Sequence, residues 1–430
     1  MITVCNSEEC FACGACENIC PKNCIERVYN DDSSWHMSID ENKCIHCNLC
    51  EKVCPNINKV VAQKPNAAYA AWNDDVRAHK TAASGGIASA LYSYAYKNGL
   101  FFCGVELNSD REAVYSVTRD IDKIKVFRNS KYTFSFMNSI FSEIANLLEM
   151  GEKVLFIGLP CHVAALKNYV SLKKVAGELI TVDLICHGTP SPSFLKEHIV
   201  AIENKKNIES GKIYFRDPKY GTGNFLFTIY DKQKISCLDA ESKFSVNNTK
   251  STPAYKKKVV SNDLYQIGYH NALIYRDCCY RCKFATGERV SDITLGDYHG
   301  LGQEAPYTHE RKEVSVILVN TPKGKQLINL LVKNNFITAY ERPVNEPLKY
   351  EKQLNRPSIA PAERKVFLEK YKEIHDFELA AKYAFAVYQR NNKLRLLSPV
   401  PKIKLIIKSV VPRGIKERIK AYRRKRSKKL

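Results

Sequence analysis

A chain of 430 residues, 45% hydrophobic and 26% charged, is long enough for about three domains and has the make-up of a globular protein rather than a disordered or fibrous one. Its formal charge of +21 suggests nucleic acid, but Lys402 to Leu430 holds thirteen Lys or Arg against one acid, Glu417, so the tail carries +12 and the body is only mildly basic. No apolar run approaches the roughly 18 residues of a spanning helix, no export signal precedes Cys5, and seventeen cysteines, an odd number, fit a reducing, cytoplasmic interior where thiols serve metals or catalysis.

The first element in the chain is an internal repeat. Cys10-Phe-Ala-Cys13-Gly-Ala-Cys16-Glu-Asn-Ile-Cys20-Pro21 and Cys44-Ile-His-Cys47-Asn-Leu-Cys50-Glu-Lys-Val-Cys54-Pro55 both read C-x2-C-x2-C-x3-C-P, offset by 34 residues. That spacing suits cubane iron-sulfur clusters, with three thiolates from one loop and the fourth, before proline, reaching across to the other cluster. Cys10, Cys13, Cys16 and Cys54 are therefore expected to hold one 4Fe-4S cluster, and Cys44, Cys47, Cys50 and Cys20 the second. Zinc more often takes paired C-x2-C or cysteine with histidine, and disulfides need an oxidising compartment. Cys5 and Cys24 fall outside the pattern and read as plain small side chains.

After a linker over 56–66, Ala67 to Trp72 reads as a strand and Asp74 to Lys80 as a polar turn or helix. Ser84-Gly85-Gly86 opens a helix with Ile87, Leu91, Tyr94 and Ala95 at helical spacing, stopped at Gly99. Strands are predicted over 100–107 and 113–118, and a helix from Met137 to Met150. The pattern then becomes α/β: a buried-type strand at 154–158, a helix over 161–169, a strand over 179–185, and a hairpin from 213–216 and 225–230. Val314 to Asn320 is a strand leading into a helix through Leu331, and the final stretch to about Tyr388 is mostly helical. The expected fold class is α+β or mixed α/β, a mixed sheet flanked by helices with the ferredoxin unit docked on it.

Beyond the repeat, Cys161 and Cys186 each follow a predicted strand, where open α/β sheets present ligands, and Cys278-Cys279-Tyr-Arg-Cys282 supplies a C-x2-C. These could converge on one cluster, on zinc, or simply pack as buried thiols. Cys103 and Cys237 are assigned to packing. No G-x-G-x-x-G follows a strand and no Walker loop is present. Ser84, Gly85 and Gly86 at a helix start could bind a pyrophosphate through free amides or serve as an ordinary cap.

The ordered set Ser84-Gly85-Gly86, Ser130-Lys131-Tyr132, Gly158-Leu-Pro160-Cys161, Cys186-His187-Gly188-Thr-Pro190-Ser191, Cys279-Tyr-Arg-Cys282-Lys-Phe and Ser291-Asp292-Ile-Thr-Leu-Gly296-Asp297 resembles the coenzyme F-420 hydrogenase/dehydrogenase beta-subunit family from about Ala67 to Asn335. The resemblance implies a flavoprotein with FAD beside a 4Fe-4S cluster, ligated by Cys161, Cys186, Cys279 and Cys282, with a deazaflavin cofactor or another organic molecule as redox partner. It favours FAD contacts at Ser84, Gly85 and Gly86; Lys131 could neutralise the pyrophosphate, sit near flavin N1 or be a surface lysine. The sequence departs from the family at His162, where relatives often carry glutamine, and at Tyr298-His299, where an aromatic pair is commoner; both could line the substrate side. Forms with a fused ferredoxin resemble proteins of bacterial surface-polysaccharide gene sets.

The resulting division is a two-cluster ferredoxin domain over 1–64, an N-terminal flavoprotein region over 65–152, a region with the third cluster over 153–345, a helical extension over 346–401 and a basic tail over 402–430. The functional expectation is an oxidoreductase passing electrons between three 4Fe-4S clusters and FAD, because a flavin converts one-electron into two-electron chemistry. The alternative is a non-catalytic electron-transfer subunit of a larger complex. His187 and His299 are candidate proton donors. Expected partners are an external electron donor or acceptor and a small-molecule or lipid-linked substrate. The tail places Ile403, Ile406, Ile407, Val410 and Val411 at helical spacing among lysines, the composition of an anchor to an anionic membrane surface on the cytoplasmic side. It lacks the aromatic interleaving of a nucleic-acid binder, so no nucleic-acid partner is expected.

Overall fold

The computed structural model describes residues 2–234, 252–259, 261–309 and 313–397. The amphipathic tail and Cys237 lie outside the described residues. Among those described, no helix is long and apolar enough to cross a membrane.

Nine strands form one mixed sheet, in the order Ile337–Arg342, Ala67–Asn73, Ser315–Val319, Ile293–Asp297, Glu178–Leu184, Lys153–Gly158, Phe101–Leu107, Ala113–Thr118 and Ser135–Phe136. The four central strands, from Ile293–Asp297 to Phe101–Leu107, are mutually parallel, and those on one flank are antiparallel. Period-two alternation explains the layering. Leu155 and Ile157 face Ile87 and Leu91 of the helix Ile87–Lys97 and Leu327 of Pro322–Lys333, while Val154 and Phe156 face Ile144, Val163 and Leu166 of Ile140–Glu149 and Pro160–Ser171. Both faces are covered, which is why these strands read as continuous apolar runs. The boundary expected at 152/153 runs through the middle of this sheet. Ile337–Arg342, inside a stretch expected to be helical, is an edge strand, its half-exposed Thr338, Ala339 and Tyr340 giving little apolar signal.

The ferredoxin unit is a hairpin of Ile25–Tyr29 and Trp35–Ile39, extended by Ile2–Thr3, with two five-residue helices, Ala15–Ile19 and Leu49–Val53. It docks outside Ile140–Glu149 and Pro160–Ser171. Trp35 packs edge-on against Phe134 (5.0 Å) and flat on Phe136 (5.1 Å), and Asn168 Nδ2 donates to the Asn58 carbonyl at 2.7 Å. Its core is continuous with that of the sheet: Ala15, Met37 and Val53 belong to the same cluster as Phe141, Val163 and Val290.

A second lobe packs a three-stranded antiparallel sheet, Ser210–Tyr214, Leu226–Asp231 and Tyr255–Lys258, against Pro192–Lys206, Leu264–His270, Ala362–Ile374 and Phe377–Ala384, around Phe194, Phe227, Tyr265, Phe367 and Phe377. His198 is buried in it. Its Nε2 lies 3.1 Å from Asp263 Oδ2, its Nδ1 meets Glu378, and Tyr255 OH donates to Asp263 at 2.7 Å. Burial opposes charge on this imidazole, but Asp263 and then Glu378 outweigh it and raise it to about 10. The folded protein therefore keeps a proton that the unfolded chain sheds near the ordinary histidine value. The stabilisation is full below about pH 6.5 and is lost as pH rises through about 10. His198→Gln is expected to cost about 3–5 kcal/mol near neutrality, since it leaves Asp263 buried without its cation. Denaturant midpoints from pH 6 to 10 check this, and the variant should decline less over that range than the parent.

Candidate functional site

Both cysteine repeats fold the same way. Ala12 and His46 (φ 52° each), then Gly14 and Asn48 (φ 80° and 58°), adopt the left-handed conformation and wrap the chain inward. The amides of Ala12 and His46 each donate to the sulfur two residues earlier, Cys10 and Cys44, at 3.4 Å. Cys20 and Cys54 then leave the short helices extended, before proline. Cys10, Cys13, Cys16 and Cys54 line one cavity, and Cys44, Cys47, Cys50 and Cys20 another, so the last cysteine of each repeat stands with the first three of the other. The inner set is buried, whereas Cys47 of the outer set is exposed. Burial, and then the charges of Cys54 and Cys10, push Cys13 up to about 12, whereas hydrogen bonding with Cys5 lowers Cys10 to about 6 and Cys54 to about 7. Cys5 and Cys24, read from sequence as plain side chains, line these cavities too; Cys24 Sγ lies 3.3 Å from Cys20 Sγ.

The adjacent parallel strands Lys153–Gly158 and Glu178–Leu184 deliver Cys161 and Cys186 to the same edge of the sheet. Cys279, in the short helix Asp277–Tyr280, and Cys282, just after it, approach them: Cys161 is within electrostatic reach of Cys186 and Cys282, and Cys186 of Cys279 and Cys282. Burial and then Cys279 and Cys282 push Cys186 up to about 12. Cys279 Sγ accepts from the Thr189 amide at 3.4 Å, which ties it, rather than Cys278, to the loop carrying Cys186. Cys161 is also within reach of Cys13 of the inner set. Cys103 is core packing, as expected.

Beyond Cys186 opens a cavity of about 310 Å³ at the carboxyl ends of the parallel strands. Its wall draws on Ser84 and Gly86, on Lys131 and Tyr132, on Gly158, on Cys186 and His187, and on Asp297 and His299. Gly85 sits behind it, where a Cβ would stand 2.4 Å from the Ala71 carbonyl, and Gly86 (φ 76°) opens the helix Ile87–Lys97 toward the cavity. The Gly85 amide is taken by Ser315 Oγ at 2.9 Å, which leaves the amides of the first helical turn for an anion. Lys131 gives its three hydrogens to the carbonyls of Val126, Phe127 and Arg128 (3.0, 3.1 and 2.8 Å), and burial lowers it to about 7.

Two residues not legible from sequence complete the wall. Arg128 donates only to Ser89 Oγ (3.3 Å) and Thr81 Oγ1 (3.1 Å), with no carboxylate in ion-pair distance among the described residues. At the other end, Glu351 Oε2 lies 3.3 Å from His299 Nε2, with His187 beside them, lowered by burial but raised by Glu351. His162, expected at the substrate side, is instead core: fully buried, its Nδ1 is 3.1 Å from Tyr115 OH, and it does not line the cavity.

Residues 9–57 match the 4Fe-4S dicluster domain, and residues 151–343 match the family model that describes the C terminus of the coenzyme F420 hydrogenase/dehydrogenase beta subunit. No curated protein matches. Among solved structures, a chain in the xenon-derivatised F420-reducing NiFe hydrogenase complex from Methanosarcina barkeri is 18% identical, with 74% of this chain and 91% of that chain covered at a TM-score of 0.40.

Proposed function

From a chain that belongs, through residues 151–343, to the coenzyme F420 hydrogenase/dehydrogenase beta-subunit family and carries a 4Fe-4S dicluster domain at 9–57, we propose an FAD-dependent iron-sulfur oxidoreductase. Its third 4Fe-4S cluster is held by Cys161, Cys186, Cys279 and Cys282, and its FAD lies in the adjoining cavity. The observation that carries this reading is the sequence of sites through the molecule. The outer cysteine set reaches the surface at Cys47, the inner set is buried, Cys13 lies within reach of Cys161, and Cys186 belongs to both the third set and the cavity wall. Such a row serves electron passage from the surface to a bound organic molecule.

FAD would supply the conversion between single electrons and a two-electron reduction. The chain's own residues bind and orient it: the open turn at Gly86 and the Arg128 guanidinium favour its diphosphate, and Lys131 stiffens the turn that carries Arg128. At the other end His187, His299 and Glu351 hold a proton where a substrate, an organic acceptor or a deazaflavin-type cofactor, would meet the flavin.

Anaerobically prepared protein is expected to bind about one FAD per chain, in the cavity beside Cys186. Its flavin absorbance should bleach when electrons come from a reduced protein carrier too large to enter the cavity. If FAD is neither retained nor taken up on reconstitution, the chain is an electron-transfer subunit that hands electrons to a partner.

A further inference from the structure

Five arginines are buried among the described residues, and four of them have a carboxylate: Arg216 with Asp297 (2.8 Å), Arg289 with Asp183 (3.0 Å), Arg342 with Glu346 (3.0 Å) and Arg364 with Asp277 (2.6 Å). Arg276 has none. One of its Nη atoms donates to the Phe11 carbonyl at 2.9 Å, its guanidinium lies over the Phe134 ring at 4.2 Å, and its Nε has no partner. A guanidinium always carries its charge, and a buried charge without a counter-ion is strongly unfavourable. The molecule must supply an anion at this point.

Its surroundings say which. Phe11 lies in the inner loop between Cys10 and Cys13, so that hydrogen bond pins the guanidinium to the inner site. The Arg276 backbone is held by the third set: its amide donates to the Thr189 carbonyl at 3.0 Å, and its carbonyl accepts from the Cys279 amide at 2.9 Å. Arg276 is within electrostatic reach of Cys278, Cys279, Cys161 and Cys10, the last three being thiols of the two sets. Arg289, on the far side near Cys186 and Cys282, is already balanced by Asp183.

We propose that Arg276 is the counter-charge shared by the inner cluster and by the third cluster, and that it raises the reduction potentials of both relative to the outer cluster. This rests on the third-cluster reading given above. Adding one electron to a cluster adds one negative charge, and a fixed cation in a buried site stabilises that charge. An electron delivered by an external carrier to the outer cluster is thereby drawn inward, to the side of the molecule that holds the cavity. Arg276 is a positioning residue: it acts on the clusters and does not touch the cavity.

The test uses the full chain, loaded and handled anaerobically, as wild type, Arg276→Gln and Arg276→Lys. Iron and sulfide are counted, and each centre is titrated potentiometrically with paramagnetic resonance detection. In Arg276→Gln the inner and third centres should shift to lower potential while the outer centre stays in place, and Arg276→Lys should remain close to wild type. Loss of iron in the glutamine variant, restored in the lysine variant, would support the same role. Unshifted potentials in a fully loaded Arg276→Gln would overturn it. So would equal shifts or equal iron loss in both variants, which point to shape rather than charge, or an equal shift of the outer centre, which points to general loosening. A wild-type count of about eight iron would sink the third cluster itself, and the sharing with it, whereas about twelve iron with unmoved potentials would sink only the role of Arg276.

Discussion

Cys279→Ser combined with Cys282→Ser is expected to remove about four of about twelve iron atoms per chain, leaving the dicluster unit loaded. The two cysteines come from one turn and supply half of the third set. Cys161 and Cys186, at the ends of neighbouring strands, cannot hold a cubane alone. The dicluster unit draws no ligand from that segment, and its contacts to it include the surface pairs of Lys283 with Glu9 (2.8 Å) and Arg281 with Glu8, the Phe11–Phe284 ring contact (5.4 Å) and the Arg276 bond to Phe11. In the double variant, electrons from a protein carrier should still reduce the dicluster unit but no longer bleach bound flavin on the same timescale. Iron analysis and stopped-flow absorbance measure the two effects separately. Unchanged iron would remove the third site.

Arg128→Gln is expected to weaken FAD binding by about ten- to a hundredfold, the effect of losing one charge-assisted hydrogen-bonding group worth about 1.5–3 kcal/mol. The guanidinium is half-buried beside the first turn of Ile87–Lys97, held by two neutral hydroxyls, and burial lowers its pKa, offset only in part by the charge of Asp75, which forms no ion pair with it. An arginine placed this way is prepared for an anion that arrives with a ligand. Lys131→Met should have a smaller effect on affinity, because that ammonium is already committed to three carbonyls. Titration of flavin-free protein with FAD, followed by fluorescence quenching, compares the three proteins. Equal affinities would move the diphosphate away from this turn.

The dicluster unit is legible in the sequence because its information is local: the eight cysteines of the repeat fall within 45 residues, at spacings that leave little choice of partner. The third set is harder to read. Its members come from three separate segments, and only the adjacency of Lys153–Gly158 and Glu178–Leu184 in the sheet brings them together; periodicity finds both strands but not their order. Motif resemblance supplies what periodicity cannot. Arg128, Arg276 and Glu351 leave no trace in the sequence, since a single charged residue acquires its meaning from what fails to surround it. His162 illustrates the converse. Its place beside Cys161 suggests the cavity, but the first turn of a helix points successive side chains in different directions, and this one enters the core against Tyr115 and Phe134. Cys5 and Cys24 fall outside the repeat because the hairpin that carries them to the cavities is formed by pairing across the unit.

The single apolar cluster shared by the ferredoxin unit and the sheet also constrains the order of events at the ribosome. Cys10, Cys13, Cys16 and Cys54 leave the exit tunnel early, yet the wall that seals them, around Phe134, Val163 and Val290, is synthesised much later. Until that wall arrives, the inner thiols lack the side chains that cover them in the finished fold. Afterwards they are enclosed, and only the outer set at Cys47 still faces solvent.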